Sequence, residues 1–364
     1  MPTESWKFRR ELIRIGQQLR GIPELVMDPI RQKRLDRAIA NGLPIIAGAK
    51  PPSKKVAVYL LFQPRGVSQS TIEQCEWLHD NGYAPLVVSN CPLSSTDKER
   101  LSPVIWRAIV RPNFGYDFGG YRDALTSLRQ WGVKPDTLLI LNDSVWVPVI
   151  PGSDLISRLE EDPADIAGSI LRERGEIRFL ESYCYRIRGT LLEEPAFREF
   201  WSNLRLTSNK YYVIRRGERG FSEAMLGAGY KVAAVYAFEG LVDQLSKQSD
   251  EFLAKTILYS ASLPPELVAE RNALLAEGND QKGNAWRKRA LSFIQIALEK
   301  RLAYSTLPFA GHSLFQYPFL KKSADRVAVE WRAAYFAATE TGDLPSPSPA
   351  ILKETRALVQ KHST

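Results

Sequence analysis

Cysteine, histidine and methionine occur only three times each in these 364 residues. Cys75, Cys91 and Cys184 make no CxxC pair and leave one thiol over, so no disulfide framework is expected and a reducing compartment fits. The histidines lie far apart, which removes HxxxH and HExxH zinc helices. Neither a GxSxG elbow nor a GxxxxGK[ST] phosphate loop occurs, and no histidine stands near the cysteine of "SYC" (182–184). Serine-hydrolase chemistry is thereby set aside, and a cysteine nucleophile lacks a nearby base. No apolar run approaches the roughly 18 residues of a membrane span. The opening "MPTESWKFRRELIRIGQQLRG" lacks the unbroken apolar core of a signal peptide. No internal repeats are visible.

Positive charge, by contrast, is plentiful and unevenly placed. Residues 1–55 hold 12 Lys/Arg against 5 Asp/Glu, nearly the whole net charge of +8. Phe8, Leu12, Ile15 and Leu19 recur at helical spacing there, an apolar stripe among arginines. Such a helix either packs on the body or lies on an anionic membrane surface. Zinc-finger spacing, an aromatic RNP pattern and bZIP heptads are missing, so nucleic acid is not an expected partner.

Four domains or segments are expected. Residues 1–54 form a basic helical arm ending in the linker "AKPPSKK". Strands are expected at "KVAVYLLF" (55–62), "APLVVSN" (84–90), "WRAIVRP" (106–112) and "DTLLILNDS" (136–144), with helices between them. That alternation predicts an α/β domain over 55–240, a mixed, mainly parallel sheet flanked by helices. "ADIAGSILRE" and "EIRFLESYCYRIRG" look like later, antiparallel strands. Residues 241–340 read as a C-terminal helical annex, and 341–364 as a Pro/Ser linker and terminal helix.

Ligands of open α/β sheets sit beyond the carboxyl ends of the strands. Two polar clusters fall there, and they share one crevice if the third and fourth strands are neighbours. In the first, "NFGYDFGG", Gly115, Gly119 and Gly120 permit a tight turn and close backbone approach, and the following helix points free N–H groups at an anion. Asp117 in that loop either caps the helix or accepts hydrogen bonds from ligand hydroxyls. Arg122, one turn on, is placed to take a phosphate. In the second, Asn142, Asp143 and Ser144 end an apolar strand, where Asp143 suits a divalent cation or simply organises the turn. A third cluster, "RRGERGFSEAML", puts Glu218 in a loop ahead of a helix among Arg215, Arg216 and Arg219, as a base, a salt-bridge partner or a cap.

These passages run in a fixed order: "VVSN" (87–90), "NFGYDFGGYRDAL" (113–125), "LLILNDSVWVP" (138–148), "DIAGSI" (165–170), "FLESYCYRIRGTLLEEPAFREFW" (179–201), "VIRRGERGFSEAMLGAGYKV" (213–232) and, more loosely, "AGHSLFQYPFLKK" (310–322). In that order the chain resembles the rhamnan synthesis protein F family of envelope-polysaccharide glycosyltransferases. The resemblance implies a GT-A-like fold, a nucleotide-diphosphate sugar donor such as dTDP-rhamnose, and a glycan or lipid-linked acceptor. It implies donor contacts from Asn113, Gly115, Asp117, Gly119, Gly120, Tyr121, Arg122, Asn142 and Ser144, with Asp117 on the hydroxyls. Asn142-Asp143-Ser144 stands where such folds carry an Asp-x-Asp motif; Asp143 alone would hold Mg²⁺ or Mn²⁺. Glu218 takes the place of the inverting enzymes' general base, with Glu181 and Asp165 as second choices. The implied place of work is the cytoplasm, with the basic arm near the membrane's inner face. A non-catalytic sugar-binding or scaffold protein of an assembly complex is the alternative, motivated by the missing second aspartate and the annex.

Overall fold

The computed structural model describes residues 22–174, 177–277, 283–299 and 301–363. The amphipathic stripe Phe8–Leu19 lies outside the described residues. The chain divides into two units, one built from residues up to Ser68 with Cys75–Asp143 and Leu159–Val235, the other from Gln69–Gln74, Ser144–Arg158 and Tyr236 onwards. The helical annex expected over 241–340 is therefore joined by two segments from earlier in the chain, 69–74 and 144–158.

The first unit opens with helix α1 (Ile22–Ala40) and strand β1 (Ile45–Ala47). In β2 (Lys55–Leu61), "KVAVYLL", six of the seven residues are buried, which demands cover on both faces of the sheet. Helix α2 (Gln69–Asp80) leads to β3 (Tyr83–Ser89), and helix α3 (Ser95–Leu101) to β4 (Arg107–Val110). Helix α4 (Tyr116–Gln130) then returns the chain to β5 (Thr137–Asn142). β6 (Val145–Trp146) and helix α5 (Leu155–Glu161) follow, then β7 (Ile166–Gly168). A small antiparallel ribbon, β8 (Leu171–Arg174) and β9 (Ile177–Leu180), precedes β10 (Cys184–Arg188). Helices α6 (Pro195–Asn203) and α7 (Gly220–Gly227) then lead to β11 (Val232–Ala234).

The eight-stranded sheet has the order β1-β4-β3-β2-β5-β10-β7-β11. β4, β3, β2 and β5 are mutually parallel, β10 runs antiparallel between β5 and β7, and β11 is parallel to β7. The expected mixed, mainly parallel sheet flanked by helices is thus present. The third and fourth expected strands, β4 and β5, are not neighbours, because β3 and β2 lie between them. The chain builds outward from β2 to β4, then crosses back to β5 on the other side of β2. That reversal is a topological switch point, the place where open α/β sheets hold their ligands. Along one face, Val56, Val58 and Leu60 of β2, Leu86 and Val88 of β3, and Leu138 and Ile140 of β5 share a core with Tyr121, Leu125 and Leu128 of α4 and with Trp201 and Phe221.

Two glycines set the start of α4 as packing residues. A Cβ on Gly119 would stand 2.2 Å from the carbonyl oxygen of Phe114, and one on Gly120 would stand 2.0 Å from Leu60 Cδ1. Their bare faces are turned to the protein, not to a ligand, which corrects the expectation of close backbone approach. Gly119→Ala should destabilise the fold by about 1–3 kcal/mol, since the obstacle is backbone; urea denaturation reads the difference directly.

In the second unit the described chain after Tyr236 is mostly helical, including α8 (Asp250–Leu258), α9 (Pro265–Ala276), α10 (Asn284–Leu298) and α11 (Pro308–Phe315). Trp286, Ala290, Phe293, Ile294 and Ala297 form the buried stripe of α10, and the Trp286 indole donates to the carbonyl of Leu274 at 3.0 Å. The two-residue strand β12 (Leu320–Lys321) pairs antiparallel with β6, a strand the apolar pattern does not announce. Helices α12 (Arg326–Glu340) and α13 (Pro349–Ser363) close the chain, with Glu354 of α13 accepting from the Trp146 indole at 2.8 Å and from Ser70 Oγ at 2.6 Å.

Candidate functional site

Three segments distant in sequence meet at the carboxyl edge of the first unit's sheet, beside the switch point. The first is the end of β5. Asp143 follows its last residue, and its main-chain N–H donates to Leu60 O at 3.0 Å. Its Oδ2 accepts the Phe62 N–H at 2.9 Å. The carboxylate is therefore held between the ends of β2 and β5. Asn142, 3% exposed, lies just inside it. Its Nδ2 donates to Asp117 Oδ2 at 3.0 Å and to Tyr121 Oη at 3.1 Å.

The second segment is the start of α4. Gly115 precedes the helix at φ +81° and gives no side-chain cap, so Asp117 sits in the first helical turn and not in a loop. Asp117 does not cap the helix; it accepts from Asn142 across the crevice. An acid in a first turn suits the helix dipole. The first-turn N–H groups have no intrahelical acceptor and open towards the same edge.

The third segment carries Glu218. Residues Ile214–Arg219 form a π-helical turn continuous with α7, a correction to the expected loop; such turns occur often at functional sites. Gly217 lets the turn close on Phe118 of α4, since a Cβ there would stand 2.5 Å from the ring. Glu218 Oε2 accepts from Ser182 Oγ at 2.9 Å, and the carbonyl of Ser182 accepts from Tyr121 Oη at 3.0 Å. One hydrogen-bonded path, Asp117–Asn142–Tyr121–Ser182–Glu218, thus links the two acids. The arginines expected around Glu218 face elsewhere: Arg219 lies over the Phe179 ring and Arg216 over Tyr212.

The electrostatics agree with this convergence. Burial, followed by the charges of Asp143 and Glu218, pushes the Asp117 carboxyl up to about 7, with Lys210 opposing. Burial also holds the Tyr121 hydroxyl well above its ordinary range, so it stays a neutral link. Cys184 is wholly buried and its thiol is raised by that burial, which leaves it inert.

The remaining expected site residues divide. Asn113 is exposed in the turn between β4 and α4. Ser144 is exposed in the second unit, where its carbonyl accepts the Lys322 N–H. Arg122 does not point into the crevice. Its guanidinium donates to Asp36 at 2.7 Å and to Asp123 at 3.1 Å, so it is scaffold. Asp123 in turn pairs with buried Arg111, which also donates to Asn90 Oδ1 and Phe114 O at 2.6 Å each. Glu181 is buried in an ion pair with Arg172 at 3.1 Å. Asp165 precedes β7 at the opposite, amino edge of the sheet and accepts the Lys231 N–H, too far round the sheet to join the other acids. Ser182, which no motif marked, proves to be the connecting residue; its place in the quoted "FLESYCYRIRG" was the only signal.

Among the described residues, no group of three or more His, Cys, Asp and Glu side chains is arranged as a protein-built metal cage. A hard cation that arrives on a diphosphate needs only one or two carboxylates. Asp143, with Asp117 behind it, matches that smaller requirement.

The model of the rhamnan synthesis protein F family matches residues 86–271, just over half of the chain. The chain belongs to this family. A relative in Sinorhizobium fredii (strain NBRC 101917 / NGR234), the uncharacterized protein y4gN, is 34% identical over 239 residues, 65% of this chain. This chain covers 62% of that relative's length, less than two thirds. Among solved structures, the mannosyltransferase PcManGT of Pyrobaculum calidifontis, in complex with GDP-Man and Mn²⁺, aligns over 92% of this chain and 99% of its own at 11% identity and a TM-score of 0.31. S. aureus TarS aligns over 84% of this chain and 55% of its own at 13% identity and a TM-score of 0.27. Likenesses this loose carry no weight for what this rhamnan synthesis protein F family member does.

Proposed function

We propose that the chain is a glycosyltransferase of polysaccharide biosynthesis, moving rhamnose or a related sugar from a nucleotide-diphosphate donor to an envelope glycan or lipid-linked acceptor. The observation that carries this reading is the convergence of Asp143 and Glu218 on Asp117 at the switch point of the mainly parallel sheet. Family membership supports it. The three cysteines are free and buried, consistent with work on the cytoplasmic side. No described helix is long and apolar enough to cross a membrane.

In this reading Glu218 is the general base of an inverting transfer. It takes the proton of the acceptor hydroxyl as that oxygen bonds to the anomeric carbon. The bond from that carbon to the donor's diphosphate breaks, and the diphosphate leaves with the electron pair. Asp143 would hold Mg²⁺ or Mn²⁺, which supplies positive charge for the diphosphate. Asp117 and Asn142 position donor hydroxyls, and the first-turn N–H groups of α4 face the phosphates. Asn113 is kept as an outer donor contact, whereas Gly115, Gly119, Gly120, Tyr121 and Arg122 shape the crevice from behind.

A thermal-shift screen of nucleoside diphosphates and nucleotide sugars, with and without Mn²⁺, tests the reading. Thymidine diphosphates are expected to stabilise the wild-type chain, and Asp143→Asn is expected to lose the Mn²⁺-dependent part of that shift. If no nucleotide stabilises the chain and none is released from any nucleotide sugar, the enzyme reading fails.

A further inference from the structure

Two cavities of the first unit, of about 520 and 420 Å³, share Arg205 and Arg216 in their walls. The larger has an apolar side of Ala196, Phe200, Leu204 and Ala224, with Glu199 and Asn203 also in its wall; the smaller is polar, with Gln32 and Lys33 of α1. Arg216, on the turn that bears Glu218, is in the wall of both. Arg216 and Glu218 are two residues apart on that turn, so their side chains leave it on opposite sides; Glu218 meets Ser182 while Arg216 lies over Tyr212.

Neither arginine is neutralised, and the backbone that carries Arg205 is held in place. Gln32 clamps the chain on either side of Arg205, donating to Leu204 O and accepting from the Leu206 N–H, both at 3.0 Å. Arg216 rests 4.9 Å above the Tyr212 ring. Neither arginine has a carboxylate partner among the described residues. The acids of the smaller cavity are already engaged: Asp28 accepts the Ser208 N–H and faces Arg31, and Asp36 pairs with Arg122. The larger cavity also carries the Glu199 carboxylate, so Lys33, Arg205 and Arg216 leave a positive surplus of two beside the apolar lobe. Guanidinium pairs of this kind take oxyanions, phosphate above all.

We propose that Arg205 and Arg216 form a binding site for a phosphate ester with an apolar arm, separate from the acidic crevice. The phosphate sits between the arginines, and the arm lies along Phe200, Leu204 and Ala224. The site does not depend on the reaction proposed at Glu218 and stands or falls without it.

Calorimetric titration of the full chain with octyl phosphate, octyl glucoside and inorganic phosphate tests the assignment. Octyl phosphate is expected to bind at least tenfold more tightly than either of the others. Arg205→Gln/Arg216→Gln should lose at least tenfold of that affinity, with circular dichroism and thermal midpoint unchanged because neither arginine is ion-paired. Phe200→Ser should weaken octyl phosphate but not inorganic phosphate. Co-flotation with phosphatidic acid vesicles identifies a lipid as the natural source; octyl phosphate binding without flotation identifies a soluble ester. Equal binding of octyl phosphate and octyl glucoside, full affinity in the double variant, or displacement by a nucleoside diphosphate would each overturn the proposal.

Discussion

Glu218→Gln is expected to lower turnover by about 10²–10⁴-fold, the usual worth of a general base, while leaving stabilisation by the nucleotide donor in place. Glutamine keeps an oxygen to accept from Ser182 Oγ, so the path through Ser182 and Tyr121 to Asn142 survives. What it loses is the ability to take a proton. The other two acids once eligible for the role offer no substitute: Glu181 is committed to Arg172 and Asp165 lies at the far edge of the sheet. Transfer rates measured across a pH series separate this loss from a binding defect. A variant that keeps more than a tenth of the wild-type rate would remove Glu218 from the chemistry.

Asp117→Asn should make the protein more stable at pH 8 and less active. Burial and the neighbouring acids push the folded carboxyl up to about 7 from its ordinary 3.8, so the native state holds the proton more firmly than the unfolded chain. The contribution of Asp117 to stability is therefore most favourable below pH 4 and is lost progressively as pH rises to 7. Above that the ionised group costs the fold, with an upper limit on the order of 4 kcal/mol. Asparagine never ionises and still accepts from Asn142 Nδ2. Its melting temperature is expected to exceed the wild type's by several degrees at pH 8, with the gap narrowing on acidification and closing near pH 4. Parallel pH slopes for the two proteins would show that Asp117 carries no strain. Loss of transfer in the stabler variant would mark the strain as functional.

Much of the first unit was legible because its strands are written as apolar runs between turn residues. β2, β3, β4 and β5 fall within a few residues of "KVAVYLLF", "APLVVSN", "WRAIVRP" and "DTLLILNDS". The start of α4 was misplaced because glycine is a poor helix former; Gly119 and Gly120 are tolerated since Phe114 and Leu60 occupy the space of their missing side chains. Residue types also singled out Asp117, Asn142, Asp143 and Glu218, which the structure brings together. Their convergence was not legible in the strand order expected, because it arises from α4 crossing over two strands. Arg122 looked like a phosphate ligand because nothing in its neighbourhood of sequence announces Asp36, 86 residues away. The membership of 69–74 and 144–158 in the second unit is likewise a matter of distant contacts, with partners such as Glu354 at the far end of the chain.

The main-chain bond from Phe62 to Asp143 has a practical side. Phe62 is 49% exposed, yet its amide hydrogen rests on the Asp143 carboxylate. An amide proton is deshielded by the charge it donates to. In isotope-labelled protein the Phe62 resonance is therefore a built-in gauge of the charge on Asp143, readable without a substrate, a dye or a turnover.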